Sequence, residues 1–263
     1  MKKNRIIAIM IGISAIVIAV FWGCTKTDAN SDKDIQTSTN KSVGQSHNSG
    51  LDYIYKSIQI KSYKSTDLLL DDLRRCANSF LMEEFENDIN AQFVSIQNNE
   101  SAILKIRSDY QEFGCVNIEN VWFANNSNDL SEKQKELLSI LADALNSNDL
   151  QTVLIACQTV NSRVINECSE EERTLMEYSI DICIASSQYW SENIDKWIQL
   201  FGVQETRWFN WGSLPKSDIA GGIGGAIGGA IAGGGAGAIP GALGGAIGTS
   251  ATDAVLQILN HYF

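Results

Sequence analysis

The side chains able to do chemistry are few and poorly grouped. Apart from Cys24, the thiols are Cys76, Cys115, Cys157, Cys168 and Cys183, and the histidines are His47 and His261. A zinc site needs several Cys or His ligands converging, and thiol catalysis needs a histidine beside the cysteine. No CxxC pair occurs and neither histidine stands near a cysteine, so no metal or cofactor is expected. Glu83, Glu84, Glu86, Asp88 and the run Glu170-Glu171-Glu172 could supply acid and base. In helical acidic proteins, however, such runs usually form a solvated face or a first turn favoured by the helix dipole. The residues therefore predict no catalytic site and no enzyme.

Cys24 stands in a different context. Lys2, Lys3 and Arg5 precede an uncharged apolar run from Ile6 to Phe21, the pattern of a secretory signal peptide. The run ends in Phe21-Trp22-Gly23-Cys24, and a polar segment follows. This resembles the lipobox of bacterial lipoproteins, although Phe21 and Trp22 stand where Leu and a small residue are commoner. The resemblance implies diacylglycerol and a palmitate-type acyl chain on Cys24, cleavage on its amino side, and a lipid bilayer as partner. Thr25 is not Asp, which implies the outer membrane of the cell over the inner one. Lys26, Asp28, Asp32 and Asp34 are similar to the charged export signals of Bacteroidota lipoproteins. The alternative is an uncleaved membrane helix, since about 16 to 18 apolar residues approach the length that spans a bilayer. In an exported chain the five remaining cysteines allow at most two bridges. Cys76, Cys157 and Cys183 sit among apolar neighbours, where a free thiol is usually a small core residue. Buried thiols and a disulfide both stay open.

The formal charge is -11 at pH 7, and removing Lys2, Lys3 and Arg5 with the signal makes it more negative by three. A phosphate backbone would be repelled, so nucleic acid is not an expected partner. Residues 24–50 are mostly Ser, Thr, Asn, Asp, Lys and Gln, too polar to offset the entropy of ordering, and predict a disordered tether.

The elements that must carry everything else begin near Leu51. From Thr66, apolar residues recur at helical spacing through Leu69, Leu73, Phe80, Phe85, Ile89, Phe93 and Ile96, with charges between them. This predicts one long helix, broken near Asn98-Asn99, with a second part ending at Phe113 before Gly114. Val121, Trp122 and Phe123 then read as a packing plug in an irregular connection. Ser131 with Gln134 and Ser169 with Glu172 read as capping boxes, for a helix over Glu132–Asn146 and for another that Gly202 closes. Asp149 opens a helix through Asn166. No alternating strand run appears, so the predicted fold is an all-α helical bundle. Residues 51–216 form an acidic body, and 217–263 a glycine-zipper tail.

That tail has the strongest pattern in the chain. No charged residue lies between Asp218 and Asp253, and glycine recurs every fourth residue at Gly221, Gly225, Gly229, Gly233, Gly237, Gly241 and Gly245. Ile219, Ile223, Ile227, Ile231, Ile239, Leu243 and Ile247 keep the same period and set an aliphatic ridge beside a glycine groove. Each glycine in a water-exposed helix costs about 1 kcal/mol relative to alanine. The groove therefore has to be filled by another helix. As a single helix the uncharged stretch would reach about 50 Å against a hydrocarbon core of about 30 Å. A helical hairpin bent at Gly233-Gly234-Gly235 and Pro240 is the expected form.

The tail resembles glycine-zipper segments of outer-membrane lipoproteins and of membrane-active, bacteriocin-like and pore-forming proteins. This implies helix packing in or on a membrane, as a structural anchor or a membrane-perturbing element, and self-association through the glycine ladder. Trp208, Phe209 and Trp211 would then be interface aromatics. The competing reading makes them core residues, buries the hairpin inside the body, and makes the protein a non-catalytic module that binds a protein partner.

Overall fold

A computed structural model describes residues 41–262 apart from 60, 62, 117–128, 203–208, 210 and 234. The signal run, Cys24, most of the tether, the Val121-Trp122-Phe123 plug and Trp208 lie outside these residues. Among the described residues there are eight α-helices and no strand, an all-α bundle: α1 Val43–Ile58, α2 Thr66–Glu84, α3 Ile89–Phe113, α4 Glu132–Leu145, α5 Leu150–Glu167, α6 Glu170–Gln199, α7 Ser213–Gly233 and α8 Ala238–Tyr262. A 3-10 turn at Gly235–Gly237 joins α7 to α8.

The helix starts follow local chemistry. Ser131 and Ser169 each accept from the backbone three residues on, while Gln134 and Glu172 reach back, completing the two capping boxes. Asp149 caps α5 through Thr152 N–H. Gly114, with φ 70°, takes the left-handed position that ends α3.

Two boundaries differ from expectation. The helical body begins before residue 51, because Ser42 and Gln45 form a third capping box and α1 starts at Val43. The segment is polar, yet Gly44, Ser46, His47 and Gly50 are buried in it. Small side chains let α1 lie close to its neighbours, and a methyl on Gly44 would stand 2.6 Å from the Asp181 carbonyl oxygen. The predicted long helix breaks at Phe85–Asp88, with none at Asn98-Asn99. Asp88 accepts from Ala91 N–H at 2.9 Å and starts α3 afresh. Asn98 instead bonds back to the Val94 carbonyl at 2.8 Å, and α3 runs on.

Two hydrophobic cores result. One joins α1, α2, the end of α6 and α8 around Leu51, Leu73, Trp190, Trp197, Ile247 and Val255. The other joins α4, α5, the start of α6 and α7 around Leu141, Val160, Met176, Ile182, Ile219 and Ile223. The division at residue 216 therefore does not separate two cores, since the tail contributes to both. Each fully buried Ile or Leu stabilises by about 1.5–3 kcal/mol, enough to outweigh the helical cost of the glycines beside it.

Candidate functional site

The glycine hairpin lies between the two cores. Its turn falls at the predicted glycines, and Pro240 sits in the first turn of α8, where a missing N–H costs nothing. Gly221 faces Gly245, Gly225 faces Gly241, and Gly229 faces Gly237. Four residues forward on α7 match four residues back on α8, which is the register of an antiparallel pair. At each of these positions a methyl group would run into the backbone carbonyl of the opposite glycine. Six of the seven ladder glycines are thus consumed within one chain. Gly233 is different, because a methyl there would meet only Val94 at an ordinary 3.6 Å.

The ridges point outward from this seam. Ile219 and Ile223 are buried in the core of α4–α6, Leu243 and Ile247 in the core of α1 and α2, and Ile227 and Ile239 are half-buried. Ile231, near the tip, is 80% exposed. Glycines outside the ladder are as tightly packed: a methyl on Gly244 would collide with the Ser95 carbonyl, and one on Gly248 would stand 2.7 Å from the Asn99 carbonyl oxygen. Asn99 is itself buried, donating to Asn78 at 2.7 Å. The Asn98-Asn99 pair that reads as a helix break is where α8 presses on α3.

The hairpin's root is held by polar groups. Lys216 is buried against Asn146 Oδ1, and Gly212 N–H donates to Asn148 Oδ1 at 2.7 Å. Phe209 is buried in the first core, and Trp211 packs against both cores. These two aromatics therefore act as core residues.

The charged ends of the uncharged stretch are the buried polar centre. Asp218 is fully enclosed. Its Oδ2 accepts from Ser186 and, at 2.9 Å, from Ser250, which in turn accepts from Trp190 Nε1 at 3.0 Å. His47 Nε2 from α1 lies 3.5 Å from the same oxygen, and His47 Nδ1 meets Asn48 Oδ1 at 3.0 Å. Burial lowers the His47 pKa to about 4 and pushes Asp218 well above the usual carboxylate range. Both shifts favour a neutral pair. Asp253 is held by Ser217 at 2.6 Å, Tyr110 at 2.7 Å and Gln257 at 3.3 Å, and burial raises its pKa too.

Serine, histidine and aspartate meet here, but not in catalytic order. The hydroxyls donate to the carboxylate and none reaches the imidazole, so no nucleophile is paired with a base. His47 Nε2, Asp218 Oδ1 and Ser187 Oγ are buried without hydrogen-bond partners. The sequence signal for this centre was faint: a lone histidine in a polar stretch and the two carboxylates bracketing the glycine ladder.

The five cysteines are free thiols. Cys157 and Cys183 touch at 3.5 Å in the second core, Cys76 and Cys168 are buried, and Cys115 is exposed. Among the described residues no three His, Cys, Asp or Glu side chains gather as a metal site, and no helix is long and apolar enough to cross a membrane. Comparison with protein-family models, curated proteins and solved structures finds no match to the chain.

Proposed function

We propose that the chain is an exported, lipid-tethered, non-catalytic helical module that acts by binding a protein partner, with the glycine hairpin as its internal spine. One observation carries this reading. The glycine faces of α7 and α8 are closed on each other, so the groove that would zip a second copy or an inserted hairpin is already filled. The tether at Cys24 and the outer-membrane address rest on the lipobox resemblance. The surface left for a partner includes an apolar end. Ile89 and Phe93, one turn apart at the start of α3, are 80% and 66% exposed. The hairpin tip with Ile231 approaches the same stretch, through Gly233 beside Val94. Exposed apolar groups gathered at one end favour a protein contact.

Membrane insertion of the hairpin is the competing reading, and the uncharged stretch between Asp218 and Asp253 argues for it. Flotation separates the two. Protein lacking residues 1–23 and carrying Cys24→Ala is mixed at neutral pH with vesicles of phosphatidylethanolamine and phosphatidylglycerol. The binding reading expects folded protein left in the dense fraction. Protein that floats with α7 and α8 shielded from protease would sink it and leave insertion as the working reading.

A further inference from the structure

A cleft of about 470 Å³ opens where the end of α1, the connection to α2, and the ends of α6 and α8 meet. Its size falls within the range typical of small-molecule sites. Ile58, Leu69 and Leu259, from three helices, and Leu200 and Phe201, just after α6, form an apolar wall. Lys61, Tyr63 and Lys64, from the connection between α1 and α2, line it as well.

The charge at this rim runs against that of the molecule, where 31 Asp and Glu outnumber 20 Lys and Arg. No carboxylate lines the cleft among the described residues, and the buried Asp72 bonds two of the lining residues. Asp72 is met by Lys61 Nζ at 2.6 Å, by Tyr63 OH at 2.7 Å and by Arg75 at 2.7 Å, an arginine that Asp71 shares at 3.5 Å, so its charge is balanced. Of the other acids on α2 near this end, Asp71 is taken by Arg74 at 2.8 Å and Asp67 by Arg107 at 2.8 Å. Lys64 is exposed and has no carboxylate partner among the described residues. A cation with no internal partner beside an apolar wall complements a molecule with an anionic head and a hydrocarbon tail. A long lysine stem adds apolar cover beneath its charge.

We propose that this cleft binds a single-chain anionic amphiphile, a medium-chain fatty carboxylate. The chain lies on Leu69, Leu200, Phe201 and Leu259, and the carboxylate meets Lys64, with Lys61 as the second cation. This goes beyond the binding-module reading and does not depend on it, since neither the apolar tip nor the glycine seam takes part.

The test is calorimetric titration of the chain lacking residues 1–23, with Cys24→Ala so that no detergent competes for the cleft. Laurate is the probe, dodecanol its uncharged counterpart, and phosphatidylglycerol vesicles the membrane control. The expected result is saturable one-to-one binding of laurate, with dodecanol weaker. Lys64→Glu should weaken laurate about tenfold, corresponding to about 1.4 kcal/mol, and leave dodecanol unchanged. Leu259→Glu, on a half-buried wall residue, should weaken both ligands. Thermal melting establishes that each variant is folded, and if Leu259→Glu is not, Lys64→Glu decides alone. Absence of saturable laurate binding, indifference to Lys64→Glu, or binding to vesicles but not to monomeric laurate would each overturn the proposal.

Discussion

At the scale of single residues, seven glycines that look equivalent in the sequence are not equivalent in space. Gly225 and Gly241 touch backbone to backbone, and a methyl on either has nowhere to go. Rigid backbone cannot yield as a flexible side chain can, so the two helices have to separate. Overpacking of this kind costs about 1–3 kcal/mol and sometimes more. Gly235, in the turn and outside the ladder, has nothing within reach of an added methyl and no positive φ. There, alanine restricts the unfolded chain and should be neutral or stabilising by about 0.4–1 kcal/mol. Urea unfolding should therefore show Gly225→Ala strongly destabilised and Gly235→Ala level with the parent or above it. Equal losses in both would mean that the ladder is not the seam. The four-residue period announced that these glycines pack a helix. It could not say that Gly233, the ladder member beside the turn, would be left without a partner glycine.

At the scale of elements, α1 illustrates what polar sequence conceals. Its capping box, Ser42 with Gln45, has the same form as the boxes that mark α4 and α6. Its second half buries Leu51, Ile54 and Ile58 at helical spacing, but the buried face of its first half is mostly Gly44, Ser46, His47 and Gly50, which carry no hydrophobic period. Burial there depends on partners far along the chain: Asp181 for Gly44, Glu84 for Ser46 and Asp218 for His47. The hairpin bend and the later capping boxes were legible because their causes are local, whereas the α1 contacts are not. The His47–Asp218 meeting of α1 with α7 makes stability depend on pH in two opposed ways. His47 titrates near 4 when folded and near 6.5 when free, so the unfolded chain binds more protons between those values. Its contribution is present above about 6.5 and is lost as pH falls toward 4, worth about 3 kcal/mol. Asp218, Asp253 and Asp181, all raised by burial, act with the other sign. Their contribution is present below the ordinary carboxylate range and is lost as pH rises through their raised values. Melting curves across pH 4–9 should show His47→Leu flattening the acid arm and Asp218→Asn gaining most above neutrality. An unchanged acid arm in His47→Leu would remove that histidine from the account.

At the scale of the molecule, the issue is whether the tail is an appendage or the centre. A glycine ladder reads the same whether lipid or protein lies outside it, because the period reports only the seam and not the medium on the ridges. The structure gives the ridges to two different cores: Ile219 and Ile223 to one, Leu243 and Ile247 to the other. Polar links cross in the same direction, from Tyr110 to Asp253, Trp190 to Ser250 and Ser186 to Asp218. A chain ended after Lys216 would expose the core faces of α1, α3 and α6 together and strand Trp190 and Tyr110 without their partners. Loss of even a few fully buried aliphatic side chains approaches the 5–15 kcal/mol that holds a typical domain together. The truncated chain should therefore lose cooperative thermal unfolding and be degraded by dilute protease along its whole length, while the full chain resists. A truncated form that melts cooperatively near the parent temperature would show a self-sufficient body, and the hairpin would again be free to serve a membrane.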